Sequence, residues 1–254
     1  AMFSIATRED HPDTVVLRGD FSRVEQLGRD HRSGTLIVDG TVGNRFGSLQ
    51  SGGRILVLGD VGDFAFEGRS GGEALIAGNA GDYFAAPAPG AKAGMRGGDI
   101  FILGAVGDRA CERMRRGSVA IGGNAGEAMA ANMIAGTIYV AGTLGSDWGM
   151  GMKRGSLIVM NPTEESSACM SEAREFELSF LPLLWNHCRR LQSQLHQDCM
   201  EVCGQAWSLL EFPTTRWALR QVGDLHVDGK AELLVLTRIT RGVARGASTT
   251  LFHS

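Results

Sequence analysis

Gly117-Ser118-Val119-Ala120-Ile121-Gly122-Gly123-Asn124-Ala125-Gly126 is followed nineteen residues on by Gly136-Thr137-Ile138-Tyr139-Val140-Ala141-Gly142-Thr143-Leu144-Gly145. In each copy a second glycine stands six residues after the first, and a third stands three residues after that. The same pattern opens at Gly34, Gly53, Gly72 and Gly98, and in shortened form at Gly155. The anchors therefore lie at intervals of 19, 19, 26, 19, 19 and 19. The long interval holds Ala85-Ala86-Pro87-Ala88-Pro89-Gly90-Ala91, a seven-residue loop insertion. The last copy breaks at Asn161-Pro162, where a proline ends a strand ladder. Of 36 glycines, 29 fall between Gly34 and Gly155. Glycine used with such regularity is architecture rather than low complexity.

Between the first and second glycines of each copy lie five residues: TLIVD, RILVL, EALIA, DIFIL, SVAIG, TIYVA and SLIVM. They are rich in β-branched residues and end at glycine turns, so they read as strands. Position two is apolar throughout (Leu36, Ile55, Ala74, Ile100, Val119, Ile138, Leu157), and so is position four (Val38, Val57, Ile76, Ile102, Ile121, Val140, Val159). Alternation places both on one face. Further apolar columns follow at Val42, Val61, Ala80, Val106, Ala125 and Leu144, and at Phe46, Ala65, Phe84, Ala110, Met129 and Trp148. Three residues before four of the anchors stand Met95, Met114, Met133 and Met152. A unit this short cannot bury its own apolar residues, whereas coiled rungs stacked about 4.8 Å apart can. Glycine at this density excludes helical repeats, and propeller blades are longer. The fold expected is an all-β core, a right-handed parallel β-helix of about seven rungs some 30 Å long, with a smaller C-terminal α+β appendage. Residues 1–33 are a lead-in, 34–162 the β-helix, and 163–254 a cap. In that cap, Phe176, Leu178 and Phe180 alternate like a strand. Leu184, Cys188, Leu191, Leu195, Cys199 and Val202 form an amphipathic helical stripe after Pro182, and Ala231 to Leu236 reads as a further strand. The arginine-bearing tail after Thr237 is expected to be a poorly ordered arm.

If positions two and four point inward, position three points outward. It reads Ile37, Leu56, Leu75, Phe101, Ala120, Tyr139, Ile158, bordered by the polar column Thr35, Arg54, Glu73, Asp99, Ser118, Thr137, Ser156. An apolar stripe of that length is rarely left open to water. A partner subunit is the preferred cover, with Ile37, Leu56, Leu75, Phe101, Tyr139 and Ile158 as its interface. The alternative cover is the chain's own helix near 183–203.

The chemistry-bearing residues have modest signatures. The net charge of −3 gives no general grip on nucleic acid, and no apolar run is long enough to span a membrane. The opening residues carry no charged-then-apolar leader. Five unpaired-looking cysteines suit a reducing compartment, so a cytoplasmic location is expected. His187, Cys188, His196, Cys199 and Cys203 cluster, but without metal-ligand spacing, and a buried helix face is preferred to a metal site. Asp63, Asp82, Asp108 and Glu127 each follow a corner glycine and read as turn residues in preference to a cation column. Arg32, Arg96, Arg115, Arg116, Lys153 and Arg154 precede anchors at one corner. There they either meet an anionic tail or acidic partner, or are solvated. No nucleophile–base pair, phosphate loop or metalloprotease motif appears. No catalytic, cofactor-binding or metal residue is therefore assigned.

The Gly-x5-Gly-x2-Gly repeat, extended as Gly40-x2-Gly43-x3-Gly47 and Gly142-x2-Gly145-x3-Gly149, resembles the GXGXG β-helix domain. That domain closes the large subunit of glutamate synthase. It also forms the C subunit of formylmethanofuran dehydrogenase and that of the formyltransferase/hydrolase complex of methylotrophic bacteria. The stretch from Gly223-Asp224-Leu225 to Gly229-Lys230-Ala231-Glu232-Leu233-Leu234 is similar to the end of the last of these. The third glycine of the motif is replaced at Phe66, Ala85, Cys111 and Ala130. The resemblance implies a non-catalytic scaffold subunit without cofactors of its own. Its implied partners are an amidohydrolase-like subunit that carries zinc, a subunit related to tungsten enzymes, and a formyltransferase. Together they would move a formyl group between tetrahydromethanopterin and a methanofuran-type carrier and hydrolyse it to formate. A tungsten- or molybdenum-containing formylmethanofuran dehydrogenase is the alternative. A carbohydrate-active or ligand-binding β-helix ranks below both.

Overall fold

The computed structural model describes residues 4–8, 11–161, 166, 168–204 and 208–236. Its strands are β1 (Ser4–Arg8), β2 (His11–Arg18), β3 (Thr35–Asp39), β4 (Arg54–Val57), β5 (Glu73–Ile76), β6 (Arg96–Ile102), β7 (Arg116–Ile121), β8 (Thr137–Val140), β9 (Ser156–Val159), β10 (Arg174–Glu177), β11 (Trp217–Gly223) and β12 (Ala231–Leu236). The α-helix α1 runs Phe180–Cys203, with Pro182 in its first turn, where a proline costs no hydrogen bond. It stops at Gly204, whose φ of +68° turns its N–H back to the Met200 carbonyl.

From β2 to β9 each strand pairs in parallel with the next, so Leu36, Ile55, Ala74, Ile100, Val119, Ile138 and Leu157 stand directly over one another. A second ladder of single bridges runs Phe21, Val42, Val61, Ala80, Val106, Ala125, Leu144. These are the rungs of a β-helix. The third side is a run of turns in which positive φ recurs at every second residue, as at Arg45, Gly47 and Leu49 or Arg109, Cys111 and Arg113.

The β-helix begins earlier than Gly34. Strand β2 pairs in parallel with β3, and Phe21 bridges Val42, so residues within the presumed lead-in form a rung. Phe21 and Val42 are 21 residues apart rather than 19, which hides this rung from the periodicity. At the other end β12 pairs in parallel with β9, and β11 and β10 follow antiparallel. The unpaired edge of the last rung is therefore covered by a strand. Helix α1 covers no end; it lies along the side of the rod. The basic tail after Thr237 lies outside the described residues.

Two features of the interior explain the glycine columns. A Cβ on Gly117, Gly136 or Gly155 would fall within 2.6, 2.8 and 2.7 Å of the methyl tip of Met95, Met114 or Met133. These three anchors have positive φ, at 101, 122 and 98°, and a side chain on them would crowd the carbonyl of the preceding anchor as well as the methionine tip, so glycine is required. All four methionines of that column are buried. The second feature is a trade between adjacent columns: Phe46 with Gly47, Ala65 with Phe66, Phe84 with Ala85, Ala110 with Cys111, Met129 with Ala130, Trp148 with Gly149. Except at Ala110 and Cys111, where both members are small, a bulky member has a small neighbour, which keeps the interior filled without overpacking. Phe66, Ala85, Cys111 and Ala130 keep the positive φ of the glycine they replace, at 57, 54, 58 and 61°.

Candidate functional site

The outward stripe is fully buried, and the chain covers it itself. Ile37, Leu56 and Ile158 are 0% exposed, and Leu75, Phe101, Ala120 and Tyr139 are nearly so. They form one apolar layer with Leu181, Trp185, Cys188, Leu191, Leu195 and Cys199 of α1, with Phe212, and with Leu234 and Leu236 of β12. The half-buried Leu58, Leu103 and Met160 pack at its margin. The lengths agree: 24 helical residues span about 36 Å, and the seven steps from β2 to β9 span about 34 Å. Trp185 sits edge-on to Tyr139 at 5.1 Å and stacks on Phe212 at 5.9 Å. Polar contacts line one border. Arg54 bonds Glu73 at 3.0 Å and Asp198 of α1 at 2.5 Å, and His187 lies 3.6 Å from Asp99. The assignment of Ile37, Leu56, Leu75, Phe101, Tyr139 and Ile158 to a partner interface is therefore corrected. The amphipathic helix satisfies the stripe because it carries an apolar face of the right length and is tethered to the same chain.

The cysteines of α1 belong to that layer. Burial pushes the Cys188 thiol up to about 12 and raises Cys199 further; Cys203 is raised as well, again chiefly by burial. These are protonated packing groups at neutral pH. Cys111, inside the β-helix, is pushed up to about 12 by burial. His187 is on the exposed flank of the helix and His196 is half-buried. Among the described residues no three His, Cys, Asp or Glu side chains converge as a metal site would require.

The acidic column is bonded to backbone. The Asp63 carboxylate accepts from the Asp82 N–H at 2.9 Å, Asp82 from Asp108 at 2.8 Å, and Asp108 from Glu127 at 2.8 Å. Each carboxylate grips the next rung, which explains how like charges tolerate stacking. Two features are not apparent from the spacing alone. The slot held by methionine in later rungs holds His31, Gln50 and Arg69 in the first three. Arg69, 0% exposed, donates to the Gln50 side chain at 2.6 Å and to the carbonyls of Gly72 and Asp99. Burial lowers its pKa to about 9, with Asp99 and Glu73 opposing. The signal for it lies in the column three residues before each anchor. The other feature is Asp224, 3% exposed. Burial works against its ionisation, but N–H bonds from His226, Gly151 and Cys169 hold its pKa below the usual carboxylate range. It clamps the C-terminal segment to the last turns of the rod, a physical role for the Gly223-Asp224-Leu225 stretch.

The basic corner is open. Arg32, Arg96, Arg115, Arg116, Lys153 and Arg154 are all exposed. The outer groove at β10 and β11 is open and of mixed lining, with Phe176 and Val222 beside Glu172, Arg174 and Arg220, and Arg220 is already paired with Glu232 at 2.6 Å.

No family model matches this chain, and no curated protein matches it. Among solved structures it is similar to a chain in the X-ray crystal structure of the formyltransferase/hydrolase complex (FhcABCD) from Methylorubrum extorquens in complex with methylofuran. The identity is 33% over 89% of this chain and 78% of that one, with a TM-score of 0.74.

Proposed function

Because the chain belongs to the same family as a chain of the formyltransferase/hydrolase complex, we propose that it is the non-catalytic scaffold subunit of such a complex, corresponding to the C subunit with its GXGXG β-helix. The observation that carries the scaffold role is the placement of its reactive side chains. Cys111, Cys188 and Cys199 are held protonated inside apolar layers, and Asp63, Asp82 and Asp108 bond backbone of the next rung. These six groups are thus committed to architecture. In this reading the formyl group passes between tetrahydromethanopterin and a methanofuran-type carrier, and is hydrolysed to formate, on partner subunits of amidohydrolase-like, tungsten-enzyme-related and formyltransferase type. Any zinc belongs to the partners, and the carrier, methylofuran in the related structure, binds there. No observation favours a formylmethanofuran dehydrogenase.

The test is co-expression with the partner subunits followed by native mass spectrometry and assays of formyl transfer and hydrolysis. The isolated chain should be inactive. His187→Asn, His196→Asn, Cys199→Ser and Cys203→Ser should each leave the complex near wild-type activity. Loss of activity in an intact complex would overturn the non-catalytic role. Failure of the wild-type chain to enter any complex would overturn the subunit assignment.

A further inference from the structure

The corner preceding the strands carries more positive charge than the fold requires. Arg96 is the cross-rung partner of Arg116. The N–H of Arg115 bonds the Met95 carbonyl, that of Lys153 bonds the Met133 carbonyl, and that of Lys230 bonds the Lys153 carbonyl, each at 2.7 or 2.8 Å. Arg96, Arg115, Arg116, Lys153, Arg154 and Lys230 therefore lie along one edge from β6 to β12. That span is four rung steps, about 19 Å. All six are exposed, and none forms an ion pair among the described residues. The nearby Glu112 is 8% exposed and already engaged by Arg109 at 3.2 Å and Arg113 at 3.5 Å; Glu232 is engaged by Arg220.

Like charges one rung apart repel. The slot itself does not demand them, because Ser51, Ser70 and Ile134 occupy the position of Arg96, Arg115 and Lys153 in other rungs. The repulsion is maintained on a chain whose net charge is −3, so the ridge is opposite in sign to the molecule that bears it. We propose that this ridge holds an acidic face of a partner subunit, an inference that rests on the subunit role above. The ridge is a convex corner, which suits a protein surface better than a small anion, since small ligands need a concave site. Half-buried Ile134 and Ala135 interrupt the ridge midway. A small apolar centre with charged rows on both sides has the anatomy of a protein interface. One row of this length on an acidic chain is a short track for a nucleic-acid backbone.

The test compares wild type with Arg115→Glu/Arg154→Glu and with a charge-matched control in the first rung, Arg23→Glu/Arg29→Glu, each co-expressed with the partner subunits. Thermal unfolding and circular dichroism should show all three folded alike. The ridge variant should associate at least about tenfold more slowly, and wild-type association should slow as salt rises from about 0.05 to about 0.5 M. The control should match wild type. A wild-type chain that assembles alongside a ridge variant that assembles equally well overturns this proposal while leaving the subunit role intact. A wild-type chain that enters no complex overturns both. Binding of wild type but not the ridge variant to phosphatidylserine vesicles, with assembly unaffected, would reassign the ridge to a membrane surface and overturn the partner reading.

Discussion

The two apolar layers of the rod use opposite faces of the same strands and are completed in different ways. The interior layer is closed by the repeat: Met114 of one rung lies under Gly136 of the next, and Ile100 under Val119. The outer layer is closed only when a remote segment returns, as the pairing of Arg54 with Asp198 across 144 residues shows. A repeat therefore guarantees its own interior, since each rung needs only its neighbours. It leaves open what will cover an apolar exterior.

Five experiments would break or sharpen that contrast. The largest effect is expected from Met114→Asp, which places an unpaired carboxylate in the dry interior. It should cost roughly 5 kcal/mol and lower the thermal midpoint of the whole rod; an unchanged midpoint would break the account of the interior layer. Next, Trp185→Ala should cost about 3 kcal/mol, but as a local event. Hydrogen exchange should rise along α1 while β4 to β8 stay protected. Leu56→Lys with Phe101→Glu should act in the same way on the isolated chain.

A smaller effect concerns the slot shared by Arg69 and the methionines. Arg69→Met should cost about 1 to 2 kcal/mol, because it takes the guanidinium donor from the buried Gln50 side-chain oxygen and leaves the Gly72 carbonyl with only the Asp99 N–H. Adding Gln50→Met, which continues the thioether column, should recover part of that loss in a double-mutant cycle on chemical denaturation. The smallest effect at neutral pH is the thiol of Cys111. Its folded pKa lies above the ordinary value of 9.0, at about 12. The unfolded chain therefore sheds this proton first, and the contribution of the thiol, complete below pH 9.0, is lost as pH rises toward about 12. Cys111→Ala should flatten the alkaline decline of stability relative to wild type and leave the neutral-pH dependence unaltered.

How much of this is legible in the residues follows from the same contrast. Strand positions, their inward faces, the methionine column and the insertion at 85–91 can be read from spacing, because rungs repeat the same local geometry. The corner aspartates are legible as turn residues. The first rung is not, since its 21-residue spacing departs from the period. Nor is the trade of Phe46 and Gly47 against Ala65 and Phe66, which becomes visible only when adjacent columns are seen to share one space.

By itself, then, the sequence determined a coiled stack of rungs, because alternation, β-branched runs and glycine corners are local requirements that only one architecture meets together. It also determined that the stripe from Ile37 to Ile158 must be covered. Only the tertiary structure decided that α1 covers it, that β12 closes the last rung, and that the cations from Arg96 to Lys230 line up without ion-pair partners among the described residues. These depend on where segments far apart in the chain come to rest, and burial of apolar area is indifferent to whether the covering surface belongs to the same chain or to another.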